Sequence, residues 1–284
     1  MKKAQEVCVN MKNNQPIAII GGYDMISKDF FTESKISNNN SIFINLNNNK
    51  VKNKKIYNYK IFQLNKIFET LKINKIKNLL FLGKINRPNL SHFKNDGEIE
   101  KYIPLLLNSY QQGDGKILSS VLEIFIQNGF KIISPREVSK SFFFNTEELD
   151  GLISNEDAID VDKSKKLLNE ISKFDNAQAV VCVSGYIIAI EAVEGTDILL
   201  NRVCDLRKNL NQLKFKAGIL VKIPKKSQSK LVDLPVIGLN TLRLIKKANL
   251  NGIAIYPKHT LIHEKRKVLQ YARKYDLKIY DAAQ

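Results

Sequence analysis

The chain has 284 residues, 44% of them hydrophobic, which allows one large domain or two ordinary ones with real cores. Cys8, Cys182 and Cys204 form no close pair or motif spacing, which predicts a reducing compartment and no disulfide framework. The formal net charge is +17, in a chain flooded with Lys, Asn and Ile and lacking the clustered Arg with interleaved aromatics of specific nucleic-acid binders. That charge therefore implies a general attraction to anions rather than a nucleic-acid partner. Met1 to Gln15 lacks the apolar core of a secretory signal. No apolar run approaches the ~18 residues of a membrane span, so a cytoplasmic protein is expected.

In chain order, residues 16–22 read as a short buried strand ending in the Gly21-Gly22 turn, and 41–46 as a second strand. Residues 47–59 are rich in Asn and Lys and predict little structure. A helix is expected over 68–73 and a buried strand over 78–83, ending at Gly83. Apolar residues at Ile117, Leu118, Val121, Leu122, Ile124 and Phe125 have helical spacing, with Gly129 as the cap and a strand over 130–134. The pattern breaks over 140–161, which reads as an acidic, polar connection. Beyond it, a helix is expected over 162–174, strands over 179–190, 217–222 and 252–256, and helices over 197–208, 240–248 and 263–275. No internal repeat is visible. Strand–helix alternation predicts an α/β protein of two domains. Residues 1–152 would form a Rossmann-like parallel-sheet domain and residues 153–284 an α/β catalytic domain.

The most informative stretch is Ile190-Glu191-Ala192-Val193-Glu194-Gly195-Thr196-Asp197, where an apolar strand gives way to a helix. Ligands gather at such junctions; carboxylates there favour a divalent cation, and backbone N–H groups at the helix start favour phosphate. Glu194 and Asp197 could instead serve only the helix dipole, with Thr196 as cap. That reading leaves Glu191 unexplained, because a charge at the end of an apolar strand is costly unless paired. Asp233, in Val232-Asp233-Leu234-Pro235, is either a turn-capping residue or a carboxylate that binds metal or orients water. Lys222 ends a buried strand, and Lys225 and Lys226 follow it; they are either solvated lysines or the cations that a pyrophosphate site needs. Gly21-Gly22, Lys84 with Arg87, and the Gly113-Asp114 turn before a helix are three further candidate anion turns. His92, His259 and His263 have no ligand spacing, and no Gly-x-Ser-x-Gly elbow is present.

Four phrases, in this order and spacing, resemble one family: Gln178-Ala179-Val180-Val181, Gly185 through Asp197, Gly218-Ile219-Leu220-Val221-Lys222, and Val232 through Gly238. The resemblance is to the UDP-2,3-diacylglucosamine pyrophosphatase of the alphaproteobacterial type, which acts in lipid A synthesis. It covers nearly the whole chain, through Gly21-Gly22, Gly83-Lys84, Arg87-Pro88 and Gly113-Asp114 in the first half. It implies Mg²⁺-dependent attack of water at the α-phosphorus of UDP-2,3-diacylglucosamine, giving UMP and 2,3-diacylglucosamine 1-phosphate (lipid X). It places the essential aspartate at Asp233; beside it, the residue types suggest Lys222 as the catalytic cation that neutralises phosphate charge and the Thr196 hydroxyl as the group that holds a phosphate oxygen. On the residues themselves, Asp233 would bind the metal or orient water, and Glu191, Glu194 and Asp197 would complete the metal site or support its ligands from behind. Gly21, Gly22, Lys84, Arg87, Asp114, Gln178 and Gly195 would touch the substrate. The substrate's two acyl chains imply an apolar cleft, and the chain's basic balance would draw it to the anionic inner-membrane surface; a homodimer is compatible with the reading. The chain departs from the family pattern at Tyr23-Asp24-Met25, at Ala177 where the family usually has Gly, and at Gly115 where it usually has an acid. The competing reading is a Rossmann-like nucleotide-binding protein of other or no activity, resting on the Gly21-Gly22 turn.

Overall fold

The computed structural model describes residues 15–37, 40–47, 49–61, 63–85, 100, 102–110, 114–174, 177–209, 215–225 and 231–283. They form two compact units that divide between Lys140 and Ser141, residues 114 and 115 aside.

The first unit runs β1 (Ile17–Gly21), α1 (Met25–Ser37), β2 (Ile42–Asn45), β3 (Ile56–Asn58), α2 (Leu64–Ile73), β4 (Asn78–Phe81), α3 (Ile103–Tyr110), α4 (Asp114–Gln127), β5 (Lys131–Ile132) and α5 (Pro135–Val138). All its strand pairs are parallel, in the order β3-β2-β1-β4-β5. That is the order of a Rossmann-type sheet, with its switch point between β1 and β4. β1, β2 and β4 are buried along their whole length, which is why they read as unbroken apolar runs. Phe68, Phe81, Phe125 and Phe130 pack edge-to-face or stacked beneath them, with centroids 5.2–6.0 Å apart. The Asn/Lys-rich stretch holds a strand that the sequence did not announce: β3 is three residues long, at the sheet edge, and only Ile56 is fully buried.

The second unit runs α6 (Asn155–Ile171), β6 (Ala179–Val183), β7 (Tyr186–Ile190), α7 (Thr196–Asn209), β8 (Ile219–Lys222), β9 (Val236–Ile237), α8 (Leu239–Lys247), β10 (Gly252–Ile255), β11 (Leu261–Ile262), α9 (Lys265–Lys274) and β12 (Lys278–Asp281). Its main sheet has the order β12-β10-β8-β6-β7, and β9 pairs with β11 separately. β8, β10 and β12 are parallel, whereas β6 is antiparallel to both β8 and β7. α7, α8 and α9 pack on one face of this sheet, and α6 packs on the other.

Two expectations need correction. The single strand over 179–190 is a hairpin. Ser184 and Gly185 both have positive φ, at 49° and 80°, which is the backbone of a two-residue turn matched to strand twist. The Asp160 carboxylate caps that turn, accepting from the Ser184 N–H at 3.1 Å and the Gly185 N–H at 2.6 Å. The connection read over 140–161 ends earlier, because α6 starts at Asn155. Ser154 accepts from the Asp157 N–H at 3.1 Å, and the acids that looked like a polar linker are first-turn residues that favour the helix dipole.

Candidate functional site

The antiparallel placement of β6 decides the site. Ala179 pairs with Lys222, Val180 with Ile190, and Lys222 with Ile255. The start of β6 and the ends of β7, β8 and β10 therefore share one sheet edge. Gln178, Glu191 and Lys222 meet there, although 44 residues separate the first from the last.

Three buried side chains form a chain of hydrogen bonds at this edge. Lys222 is 8% exposed, Thr196 8% and Glu191 9%. The Lys222 ammonium donates to Thr196 Oγ1 at 2.8 Å and to the Val236 carbonyl at 2.9 Å. The Thr196 hydroxyl in turn donates to Glu191 Oε1 at 2.6 Å, and the Gln178 N–H donates to Glu191 Oε2 at 2.9 Å. Burial holds the Lys222 pKa below the ordinary lysine range, against the opposing pull of Glu191, Asp197 and Asp233. A lone charge at this depth would be strongly disfavoured; the carboxylates offset the loss of water.

Gly195, at φ 81°, makes the turn that brings α7 in with Thr196 as its first residue. Asp197 and Asp233 are exposed, unlike the trio beneath them. Asn240, one residue into α8, donates to Asp197 Oδ2 at 2.8 Å. Asp233 has φ 56°, a left-handed conformation that Asp tolerates better than most side chains, and buried Val232 and Leu234 flank it. Glu194 faces elsewhere: its oxygens accept from the Ala192 N–H at 3.1 Å and from Arg202 at 2.9 Å. Its own backbone N–H and the Arg202 guanidinium hold its pKa below the usual carboxylate range.

Among the described residues, no three His, Cys, Asp or Glu side chains converge to hold a metal ion. Glu191 and Glu194 already direct both oxygens at protein donors. Asp197 and Asp233 are the exposed carboxylates at this edge, and magnesium commonly takes one or two carboxylates and completes its shell with water and substrate phosphate.

The residues expected in the first unit are placed differently. Gly21, Gly22 and Gly83 line the switch point, where two backbones nearly touch. A Cβ on Gly21 would lie 2.0 Å from the Leu82 carbonyl oxygen, and one on Gly22 2.1 Å from that of Lys84. That approach accounts for both glycines without a ligand. The Lys84 side chain is exposed, and its N–H donates to Asp24 Oδ2 at 2.8 Å. Asp114 opens α4, but its side chain lies outside the described residues, as do Arg87 and Lys226.

Sequence reasoning missed Asn240, Arg202 and the Val236 carbonyl. Arg202 carried a faint signal, two turns into the helix that follows Glu194. Asn240 and Val236 reach the site only through the packing of β9 and α8.

A Rossmann-order unit followed by a mixed-sheet unit, with charged residues gathered at one strand edge of the second, defines a two-unit α/β protein. Residues 16–142 match the LpxI N-terminal domain, and residues 150–280 match the LpxI C-terminal domain. The UDP-2,3-diacylglucosamine pyrophosphatase LpxI of Caulobacter vibrioides is 33% identical over 215 residues, covering 75% of this chain and 76% of that protein. The chain belongs to the LpxI family.

Proposed function

We propose that this protein hydrolyses the pyrophosphate bond of UDP-2,3-diacylglucosamine, consuming one water and giving UMP and 2,3-diacylglucosamine 1-phosphate, as a step of lipid A synthesis. The observation that carries the reading is the buried Lys222 ammonium at a sheet edge, with Asp197 and Asp233 exposed nearby. Such a cation, held in low dielectric, stabilises negative charge developing on a phosphoryl group more strongly than a solvated lysine does. The relative's activity supports the choice of substrate.

In this reading Lys222 neutralises charge on the pyrophosphate, and Thr196 and Glu191 fix where its ammonium points. Asp233 orients the attacking water or helps hold a magnesium ion with Asp197. That ion, when bound, supplies polarisation of the phosphoryl oxygens. Backbone N–H groups at the start of α7 offer a seat for a phosphate oxygen. Ile190, Val193, Ile198, Leu231 and Val236 are exposed apolar side chains within three residues of the site's carboxylates, where acyl chains could rest.

The test is release of UMP from UDP-2,3-diacylglucosamine with Mg²⁺ and with EDTA, for the wild type and Asp233→Ala. Metal-dependent release that vanishes in the variant supports the reading. No release from the wild type rejects the substrate, and release indifferent to the mutation rejects Asp233.

A further inference from the structure

The positive charge is not spread evenly over the second unit. α8 and α9 pack against each other, and together they carry eight Lys and Arg and no Asp or Glu. Drift in composition would give a mixture everywhere, yet α6 and α7 carry both signs. Leu242, Ile245, Val268 and Ala272 turn inward, which leaves the basic side chains outward. Lys265 and Lys267 pair with Glu148 and Glu264. Arg243, Lys246, Lys247, Arg266, Arg273 and Lys274 are exposed and have no ion pair among the described residues. Tyr271 and Tyr275 lie between the helices with centroids 4.5 Å apart, and the Lys246 ammonium stands 3.6 Å above the Tyr275 ring.

We propose that the outer face of α8 and α9 docks on an anionic phospholipid bilayer. A surface with this much unpaired positive charge suits a sheet of phosphate headgroups. Half-buried tyrosines among lysines are amphipathic, as membrane-interface residues are. Single-stranded nucleic acid would want open aromatic faces for its bases, whereas these rings are half-buried, tilted at 51° to each other, and the Lys246 ammonium lies over the Tyr275 face. α8 also starts immediately after β9, whose Val236 carbonyl holds Lys222, so the charged face belongs to the element leading away from the site. The choice of a bilayer rests on the lipid-linked substrate proposed above.

The experiment is co-sedimentation of the full chain with phosphatidylcholine vesicles, with and without phosphatidylglycerol. It uses two triple variants of equal charge change: Arg266/Arg273/Lys274→Gln on α9, and Lys165/Lys166/Lys173→Gln on the opposite sheet face. Affinity for the anionic vesicles should fall about a hundredfold in the α9 variant and less than about threefold in the α6 variant. Both should release UMP from detergent-dispersed substrate as the wild type does. Equal falls in the two variants, or binding indifferent to phosphatidylglycerol, overturn the proposal. So does a single-stranded RNA that binds the α8–α9 face more tightly than vesicles do. Vesicle binding as expected, with no UMP release from any form, overturns the hydrolase reading alone.

Discussion

Replacing Thr196 with Val tests whether the buried trio is machinery or packing. Valine keeps the shape and removes one hydroxyl. That hydroxyl donates to Glu191 at 2.6 Å and accepts from Lys222 at 2.8 Å, so both charged neighbours lose a partner at once. Hydrogen bonds to charged groups contribute about 1.5–3 kcal/mol each, which puts the gross loss at about 3–6 kcal/mol. A water entering the gap recovers part of it, so the net destabilisation should be about 2–4 kcal/mol. Lys222 keeps its bond to the Val236 carbonyl but loses its lateral restraint. A misaimed charge-stabilising group typically lowers kcat by about 10²-fold, and KM should move little because the substrate's other contacts remain. UMP release and a thermal melt, measured on the same preparations, separate the two effects. Thr196→Ser, which keeps the hydroxyl, should restore kcat to within about threefold. If Thr196→Val melts lower while its folded fraction turns over at the wild-type rate, the trio is packing and the reasoning fails.

Other consequences follow from single residues. Ala177 holds a left-handed backbone at φ 54°, so Ala177→Gly should stabilise the protein by about 1 kcal/mol, read as a higher melting temperature with unchanged activity. Arg207 is buried and donates to the carbonyls of Phe215, Ala217, Ala248 and Asn249. Arg207→Met strands those acceptors and should cost about 3 kcal/mol or more in a urea melt. Burial pushes the Cys182 thiol up to about 12, helped by the neighbouring Asp160. In native protein at pH 8, iodoacetamide should therefore leave Cys182 unmodified, as mapped by mass spectrometry. The raised folded value also means that this thiol's contribution to stability is intact below the unfolded range of about 8.5 and is lost as pH climbs toward the folded value, so Cys182→Ala should flatten the alkaline limb of the stability curve.

What was legible in the sequence is what depends on local pattern. Strands buried on both faces gave unbroken apolar runs, and Glu191, Thr196, Lys222 and Asp233 each stood out against local expectation. What was not legible depends on pairing. The only sign of the hairpin in the run from Ala179 to Ile190 is the turn dipeptide Ser184-Gly185 set between apolar residues, and its cap, Asp160, comes from far back on α6. Without that turn, Gln178 and Glu191 fall at opposite ends of one strand, when in fact one donates to the other at 2.9 Å. For Glu191 the sequence left open a metal or a cationic partner, and the structure gives its carboxylate a threonine hydroxyl and a backbone N–H as donors.

The two units differ in the charges they set at their strand ends. The first has the Rossmann strand order, and a nucleotide phosphate would ordinarily rest at the start of α1 beside the glycine turn. Here the chain's own Asp24 takes that position. Its carboxylate accepts from the Ser27 N–H at 2.9 Å and from the Lys84 N–H at 2.8 Å, and Ser27 Oγ accepts from the Asp24 N–H at 2.9 Å. A fixed negative charge at a helix N-terminus satisfies the dipole and repels a second anion. The start of α1 is thus capped by the chain's own carboxylate. At the second unit's edge a buried cation, Lys222, is balanced by buried Glu191, and the carboxylates of Asp197 and Asp233 are exposed nearby. Function in this chain is therefore better argued from the charges at that edge than from the fold the first unit shares with many nucleotide-binding proteins.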